Sequence, residues 1–513
     1  MVEKRRMVTN AASSVVQIVV SGVTLIILYR YLLDTIGVAH LGVWSLVLAT
    51  SSMIQVANFG LTGSIVKHIA ECDAKGDTQS LVVAVETAAI TVASVSLLFI
   101  VCAYPVATYY LAFAVDDQLY QEARAILPLA LGAFVVMMVT SIYQSGLYGC
   151  QLIVQRNGLL IAESISHAML CVFLAPRYGL LGLAYARVAQ NLMTLAASAA
   201  FLKRTVSALS FIPYRWDKKQ FEQMIGYATH FQLISVLALL SDPITKACLS
   251  RWGGVSMVGY YEMANKFVQL FRSLIVNANQ VLVPEFAKLK ELRPQKVAEL
   301  YLQSTRLVTY LAIPGFGLLG ICAPLVSELW VGRYEPALVW SIILLSLGWL
   351  ANTLAVPAYF ACLGVGEMRI NVISHAIMAL LNGLLAFSFG RIFGGFGVVA
   401  AWAISLAIGG LLLNILYCSR SSIAFRRLVL ADDWKLGGCF ITGLVATSIG
   451  WQALPSTWEV ILPTLHAPSA WGPILTSAMT ILAYLAIMSV PMWHHSTRAE
   501  LQRWLARPLA GER

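Results

Sequence analysis

Apolar runs long enough to cross a lipid bilayer recur along the whole sequence, and they constrain the fold more than any other feature. A helix needs about 20 apolar residues to cross the hydrocarbon core. Only 12% of the residues are charged, whereas soluble domains carry about 25%. We therefore predict an all-α integral membrane protein of about 14 transmembrane helices. The predicted spans lie near residues 10–33, 40–65, 80–106, 124–148, 151–174, 179–202, 226–249, 255–283, 299–325, 337–362, 367–390, 394–418, 436–454 and 472–492.

The distribution of basic residues supports this number of spans. If the N-terminus lies inside and the spans alternate, 24 Lys and Arg face the cytoplasm. Only 5 lie in outer loops, namely Arg124, Arg177, Arg251, Arg333 and Arg391. Cytoplasmic loops are enriched in Lys and Arg. An error of one span in the first half would place two basic loops outside, against this rule. Both termini are therefore predicted to be cytoplasmic.

An internal repeat relates the two halves of the chain. At a shift of 217 residues the aligned pairs are Gly37 with Gly254, Val38 with Val255, Gly42 with Gly259, Val66 with Val283, and Ala70 with Ala287. At a shift of 215 residues they are Gly179 with Gly394, Gly182 with Gly397, and Ala186 with Ala401. One duplication explains two shifts that agree so closely, although chance similarity among common small residues is the alternative. Six spans separate the copies, so both halves run in the same direction.

The repeat predicts two parallel six-helix lobes around a central cleft, followed by two C-terminal helices. The N-terminal lobe comprises residues 1–203, a cytoplasmic linker residues 204–225, and the C-terminal lobe residues 226–418. Residues 419–513 supply the last two spans and a cytoplasmic tail. The linker mixes aromatic and basic residues, so it is also a candidate for a short amphipathic segment on the membrane surface.

Polar side chains form stripes at helical spacing on the first two spans. The first stripe contains Asn10, Ser14, Gln17, Ser21 and Thr24. The second contains Trp44, Ser51, Gln55, Asn58 and Thr62. Polar groups in hydrocarbon must find partners, so a stripe faces either another helix or a wet cavity. Two stripes on neighbouring spans favour the cavity.

Ionisable residues within spans are candidates for a functional site. Asp242 and Lys246 lie one turn apart on span seven, and Glu262 and Lys266 one turn apart on span eight. Such pairs also have a structural explanation, because each partly neutralises itself. Arg272 has no acidic residue one turn away, which indicates a functional charge.

Other basic residues in the spans have competing explanations. Arg272 aligns with Gln55 in the second polar stripe, which places it on the cleft wall. Arg30 and Arg306 have the alternative of lying near the interface, where such side chains extend their charge to water. Arg187 has Glu163 on the adjacent predicted span as a possible partner.

The surplus of positive charge within the spans indicates an anionic cargo, because a guanidinium matches phosphate oxygens. The candidate substrate-binding residues are Arg272, Lys266, Lys246, Arg30, Gln55, Asn58, Gln17 and Gln269. Asp242 and Glu262 are candidates for ion coupling.

Motifs of several other protein classes are missing from the sequence. It has no Walker A, HExxH or GxSxG motif, and its nine cysteines show no zinc spacing. The basic residues sit in short loops rather than in one patch. We predict that the chain is not an enzyme and has no cofactor, no metal and no nucleic-acid partner. His167 and His375 are interpreted as helix-packing residues.

The segment from Leu28 to Asp77 carries a recognisable pattern of residues. Its positions are Arg30, Leu32, Gly37, Gly42, Trp44, Gly60, Leu61 and Lys67. This pattern resembles the opening of the polysaccharide-transporter branch of the multidrug/oligosaccharidyl-lipid/polysaccharide exporter superfamily. Residues 363–401 look like the eleventh and twelfth spans of that family.

The resemblance implies a flippase of the bacterial inner membrane whose cleft is lined by spans one, two, seven and eight. The implied cargo is an undecaprenyl-diphosphate-linked oligosaccharide for surface polysaccharide such as O-antigen or exopolysaccharide. Membrane lipids and a polysaccharide polymerase are the other expected partners. A cation-coupled multidrug exporter of the same superfamily is the alternative, although the surplus of basic residues argues against it.

Overall fold

The protein is helical throughout the part that the structure describes, where no β-strand occurs. The computed structural model describes residues 2–52, 65–66, 68–69, 72–73, 75–210, 212–428, 432–446, 449 and 471–498. The helices are α1 (Val2–Ser52), α2 (Thr78–Ala114), α3 (Asp117–Gly149), α4 (Ile153–Thr205), α5 (Lys218–Gly253), α6 (Val255–Gln280), α7 (Val283–Leu292), α8 (Gln295–Ile321), α9 (Ala323–Val331), α10 (Pro336–Thr353), α11 (Val356–Val365), α12 (Met368–Arg420), the helical segment 432–446, and α13 (Trp471–His494).

Three helices are long enough to supply two spans each. α4 and α12 have 53 residues, or about 80 Å at 1.5 Å per residue, more than twice the ~30 Å hydrocarbon core. Each is interrupted by one glycine with non-helical backbone angles, Gly179 in α4 and Gly394 in α12, and Gly37 interrupts α1 in the same way. Eight described helices are long and apolar enough to cross a membrane. The prediction of an all-α membrane protein with about 14 spans is confirmed.

The repeat inferred from the sequence recurs in the backbone. Gly37 has φ 80° and ψ 165°, and its aligned partner Gly254 has φ 81° and ψ 162°. These angles are almost exclusive to glycine, which explains the residue type at both positions. Gly179 (φ 55°, ψ −128°) and Gly394 (φ 64°, ψ −151°) form a second matching pair. The two halves therefore break their helices at the same places with similar backbone angles.

Close helix contacts are also duplicated. A Cβ atom on Gly42 of α1 would collide with the carbonyl oxygen of Val255 on α6, and one on Gly259 would collide with that of Val38. These contacts are reciprocal, because Val38 aligns with Val255 and Gly42 with Gly259. Equivalent residues of the two repeats therefore pack against each other where α1 and α6 meet.

One compact unit comprises Met1–Glu262. Its most extensive packing is between α3 and α4 and between α1 and α4, while α2 packs against α3 and α5. Asn157 on α4 donates to the hydroxyls of Ser13 and Ser14 at 2.9 and 3.0 Å, and Ser164 donates to Ser21 at 2.8 Å. The small hydroxyls of the first polar stripe therefore bond α1 to α4.

The second compact unit comprises Met263–Arg513. α10 packs against α12 and α8, and α11 against α7 and α12. The last spans pack onto α8: Tyr484 of α13 donates to the carbonyl oxygen of Pro314 at 2.9 Å. His495 and Asp433 form a buried pair at 3.0 Å that joins the end of α13 to segment 432–446.

Candidate functional site

Arg272, on α6, is a basic side chain whose closest neighbours are uncharged. Its guanidinium carbon lies 4.4 Å from the centre of the Trp349 ring, and Nη2 donates to Oδ1 of Asn352 at 3.2 Å. Its Nε is buried without an acceptor, and no carboxylate among the described residues forms a salt bridge with it. An arginine has five N–H donors, so this side chain keeps donors for an anion.

The aromatic partner of Arg272 is itself held in place. Asn265 and Arg272 are seven residues apart and so lie on one face of α6. Asn265 accepts a hydrogen bond from Nε1 of Trp349 at 3.2 Å. The Trp349 ring also meets Trp402 of α12 edge-to-face, with ring centres 6.0 Å apart. The cation–π contact is therefore built on a fixed ring, and such contacts stabilise a buried cation without consuming its N–H donors.

Two further side chains extend this cluster. Tyr359 of α11 and His375 of α12 are both electrostatic neighbours of Arg272, and their ring centres are 5.8 Å apart. Nδ1 of His375 bonds the backbone oxygen of Asn371 at 2.9 Å. We call Arg272, Trp349, Asn352, Tyr359 and His375 the Arg272 cluster. It combines one positive charge with aromatic and amide groups from four helices.

Sequence reasoning identified Arg272 but missed most of the residues around it. Trp349, Asn352 and Tyr359 were not singled out, and His375 was interpreted only as a packing residue. The available signal was the spacing of Trp349 and Asn352, which are three residues apart and so lie on one face of predicted span ten. Lys266 and Gln269 lie on the same helix as Arg272, with Lys266 exposed and Gln269 half-buried.

Lys246 has a different environment, because two carboxylates neutralise it. Its Nζ lies 2.8 Å from Asp242 and 3.0 Å from Glu262. The pairing of Asp242 with Lys246 predicted from their spacing is confirmed. The contact with Glu262 joins α5 to α6, and Ser45 of α1 donates to the same carboxylate at 3.0 Å. Lys246 is 4% exposed and Glu262 6% exposed, so this is a buried charge network.

The first-span residues of the predicted site have local partners. Arg30 forms a salt bridge with Asp34 one turn away, at 3.2 Å, and both side chains are exposed. Gln17 donates to Ser21 at 3.2 Å. The remaining two candidates, Gln55 and Asn58, lie outside the described residues.

A second polar cluster lies within the first unit. Arg187 donates to Oε1 of Gln190 at 3.1 Å, and Glu163 hydrogen-bonds Gln190 and Gln144. Arg187 and Glu163 are electrostatic neighbours, as the sequence suggested, and Gln190 hydrogen-bonds both of them. This arrangement leaves both charges with polar neighbours inside the helix bundle.

Solved structures of membrane transporters share this fold. An inward-facing multidrug resistance MATE family transporter of the MOP superfamily is 14% identical, with a TM-score of 0.68 over 79% of this chain and 95% of that chain. Lipid II flippase MurJ, in an inward closed conformation, is 13% identical, with a TM-score of 0.66 over 94% of this chain and 98% of that chain. The MATE transporter VcmN of Vibrio cholerae is 12% identical, with a TM-score of 0.59 over 82% of this chain and 98% of that chain. At these identities the comparison establishes the fold alone, which this chain shares with the structures just described.

The family is shown by a match within the sequence itself. The family described as "Polysaccharide biosynthesis protein" matches residues 5–290, which is more than half of the chain. The chain belongs to this family, and the resemblance found in the sequence is confirmed. None of the curated proteins matches the chain.

Proposed function

We propose that the protein is a flippase that moves a polyprenyl-diphosphate-linked oligosaccharide from the inner to the outer leaflet of the bacterial cytoplasmic membrane. Membership of the polysaccharide-biosynthesis family supports this class of cargo. The resemblance to a lipid II flippase over 94% of the chain supports the mode of transport. The proposed product is a sugar unit for surface polysaccharide, delivered where a polymerase would use it.

The environment of Arg272 is the observation that carries the proposal. A cation at membrane depth is normally paired with an acid or exposed to a wet cavity. Arg272 is stabilised by Trp349 and Asn352 instead, and these contacts leave its charge uncompensated. A diphosphate supplies the missing negative charge and accepts the N–H donors that the neutral partners leave open.

The other candidate residues divide between two roles in this proposal. Lys266 and Gln269 lie near Arg272 along α6 and are proposed to contact the diphosphate and the first sugar. Lys246 is already neutralised by Asp242 and Glu262, so we assign these three residues to ion coupling or conformational change. Arg30, Gln17, Gln55 and Asn58 are proposed to line the path of the sugars.

Transport is proposed to follow alternating access between two lobes with the boundaries given by the sequence repeat. The diphosphate binds from the cytoplasmic leaflet, the sugars occupy the polar interior, and the polyprenyl tail stays in lipid. Both termini are then cytoplasmic, as the distribution of basic residues favours.

A cation-coupled multidrug exporter is the second candidate, because MATE transporters share the fold. Binding an organic cation requires an acid whose charge is available. Asp242 and Glu262 both contact Lys246, so their charges are already partly compensated. The Arg272 cluster, where neutral groups surround the cation, favours an anionic cargo over a cationic one.

Reconstitution of the purified protein tests the proposal. Vesicles containing a polyprenyl-diphosphate oligosaccharide in both leaflets are treated with an impermeant glycosidase, which trims only the outward-facing sugars. We expect the protein to make the inner-leaflet pool accessible, while protein-free vesicles retain a protected half. An unchanged protected pool, together with efflux of organic cations from the same vesicles, would establish the exporter instead.

A further inference from the structure

Glu86 on α2 is a buried carboxylate that binds the backbone of the segment between α4 and α5. Glu86 is 1% exposed. Its two oxygens accept hydrogen bonds from the backbone N–H groups of Ser210, Tyr214 and Arg215, at 3.4, 3.3 and 2.9 Å. Donors that converge on one ionised acceptor form strong hydrogen bonds. The carboxylate therefore fixes the path of a segment that has no regular secondary structure of its own.

The same face of α2 makes two more bonds to this segment. Thr87 accepts from the backbone N–H of Asp217 at 3.1 Å. Thr91 accepts from Nε1 of Trp216 at 3.1 Å. The residues involved, 86, 87 and 91, lie on one side of a helix at i, i+1 and i+5. Five hydrogen bonds to one helix hold the segment, which we call the linker strap (residues 206–210 and 212–217).

The strap presents large apolar side chains to its surroundings. Ile212 is 80% exposed, Tyr214 64% and Trp216 51%. Three exposed large apolar residues within five positions, on a backbone held by a buried carboxylate, form a surface patch that calls for a partner. Because the backbone is fixed, this exposure does not come from a loose loop.

Basic residues surround this apolar patch. Lys203 and Arg204 lie in the last turn of α4, Arg215 lies within the patch, and Lys218 and Lys219 follow it. Two acids have local partners: Asp217 caps α5 by accepting from the N–H of Gln220 at 2.8 Å, and Glu222 lies 3.7 Å from Nζ of Lys218. Exposed aromatic and apolar residues beside Lys and Arg are typical of segments that bind the interface of an anionic membrane.

The position of the strap along α2 agrees with a location at the membrane interface. α2 has 37 residues, or about 55 Å at 1.5 Å per residue, so about 25 Å of it extends beyond the ~30 Å hydrocarbon core. Glu86 and Thr91 lie 8 and 13 residues after its first residue, Thr78. With the core centred on α2, the boundary between hydrocarbon and headgroups falls about 12 Å from Thr78, close to Glu86, and Thr91 lies about 7 Å deeper. Trp and Tyr are enriched near this boundary.

We propose that the linker strap is a membrane-surface anchor that binds anionic phospholipid headgroups and is held at that depth by Glu86. Ile212, Tyr214 and Trp216 enter the interface, while Arg215, Lys218 and Lys219 contact lipid phosphates. The anchor ties the start of α5 to α2 and to the bilayer. It does not depend on which molecule the protein transports.

Site-specific fluorescence in vesicles tests the anchor. A genetically encoded, environment-sensitive fluorescent amino acid is placed at position 212 of the purified full chain. The matched control carries it at Gln79, which is exposed in the first turn of α2 at the same end of the helix. We expect lipids spin-labelled near the headgroup to quench the fluorescence of the probe at position 212 several-fold more than that of the probe at position 79. Adding phosphatidylglycerol to phosphatidylcholine vesicles should strengthen the quenching, and replacing Lys218 and Lys219 by Gln should reduce this gain.

Glu86→Ala tests the part played by the carboxylate. The variant should lower the quenching at position 212 to the level of position 79, with helix content unchanged. If Glu86→Ala does not fold, Thr91→Val removes the acceptor for Trp216 alone and should give a partial loss. Equal quenching at both positions in anionic vesicles would overturn the anchor, and would point to a protein partner for the patch. Full quenching in both variants would overturn the role of α2 in holding the strap.

Discussion

At the scale of single residues, the two buried cations Lys246 and Arg272 are stabilised in opposite ways. Lys246 lies within 3.0 Å of two carboxylates, which compensate its charge. Arg272 lies against an indole ring and an amide, which stabilise its charge without cancelling it. The first arrangement is suited to holding helices together and the second to receiving an anion.

Removing Lys246 should destabilise the protein strongly. Lys246→Met removes the cation that contacts both Asp242 and Glu262, and breaking a buried pair on one side costs about 3–5 kcal/mol. The triple variant Lys246→Met, Asp242→Asn, Glu262→Gln removes all three charges and should recover most of that loss. Thermal unfolding in detergent measures both effects.

A matched control separates burial from charge. Lys435 forms a salt bridge with Asp432 at 3.1 Å, but its side chain is 68% exposed. Lys435→Met should therefore change stability by less than about 1 kcal/mol. If Lys246→Met were as stable as the wild type, the pairing of buried charges in this network would not contribute to stability.

The sequence predicted part of this chemistry. The spacing of Asp242 and Lys246 identified their salt bridge, because residues four apart on a helix are neighbours. It could not identify Glu262 or Ser45 as partners of the same network, because these contacts join different helices. Trp349 and Asn352 were missed for the same reason, since they lie 77 and 80 residues from Arg272 along the chain.

At the scale of helices, the crossing of α1 and α6 depends on glycine. Gly42 and Gly259 each bring a helix backbone against a carbonyl oxygen of the other helix. The aligned residues Ser45 and Glu262 hydrogen-bond at the same crossing, one turn further along. Aligned positions of the two repeats therefore lie in direct contact, and only one of them, Glu262, carries a charge.

Substitution of Gly42 should disturb this crossing. In Gly42→Ala the new methyl group collides with the backbone of Val255, and relief of such overpacking typically costs about 1–3 kcal/mol. Gly383→Ala is the matched control, because Gly383 is inside α12 with open space around it. There, alanine should stabilise the helix by about 0.5–1 kcal/mol. Thermal unfolding measures both variants. A Gly42→Ala protein as stable as Gly383→Ala would contradict the close approach of the two helices.

The helix count and the breaks between helices were largely accessible from the sequence. The predicted spans 179–202 and 394–418 begin at Gly179 and Gly394, and both glycines have non-helical backbone angles in the structure. The continuous helical assignment across these boundaries was not predicted, because apolar periodicity alone does not show how a chain turns between two spans. The strap along α2 was also missed, since its hydrogen bonds come mainly from backbone groups that leave no sequence pattern.

At the scale of the whole molecule, composition and family membership define a multi-pass protein of polysaccharide biosynthesis. The Arg272 cluster adds a chemical reason for an anionic cargo, and it is assembled from four helices within one compact unit. The strap in the other unit is proposed to contact the membrane surface. In the proposed function, the Arg272 cluster holds a charged headgroup while lipid supports the rest of the cargo.

The most direct measurement compares transport by Arg272→Ala with transport by Arg391→Ala in the glycosidase assay. Losing a hydrogen-bonded charge contact costs about 1.5–3 kcal/mol, which corresponds to a rate about 10- to 100-fold lower. Arg391 is exposed at the glycine break of α12, so its variant should transport at the wild-type rate. Wild-type transport of the diphosphate-linked oligosaccharide by a folded Arg272→Ala protein would contradict the account.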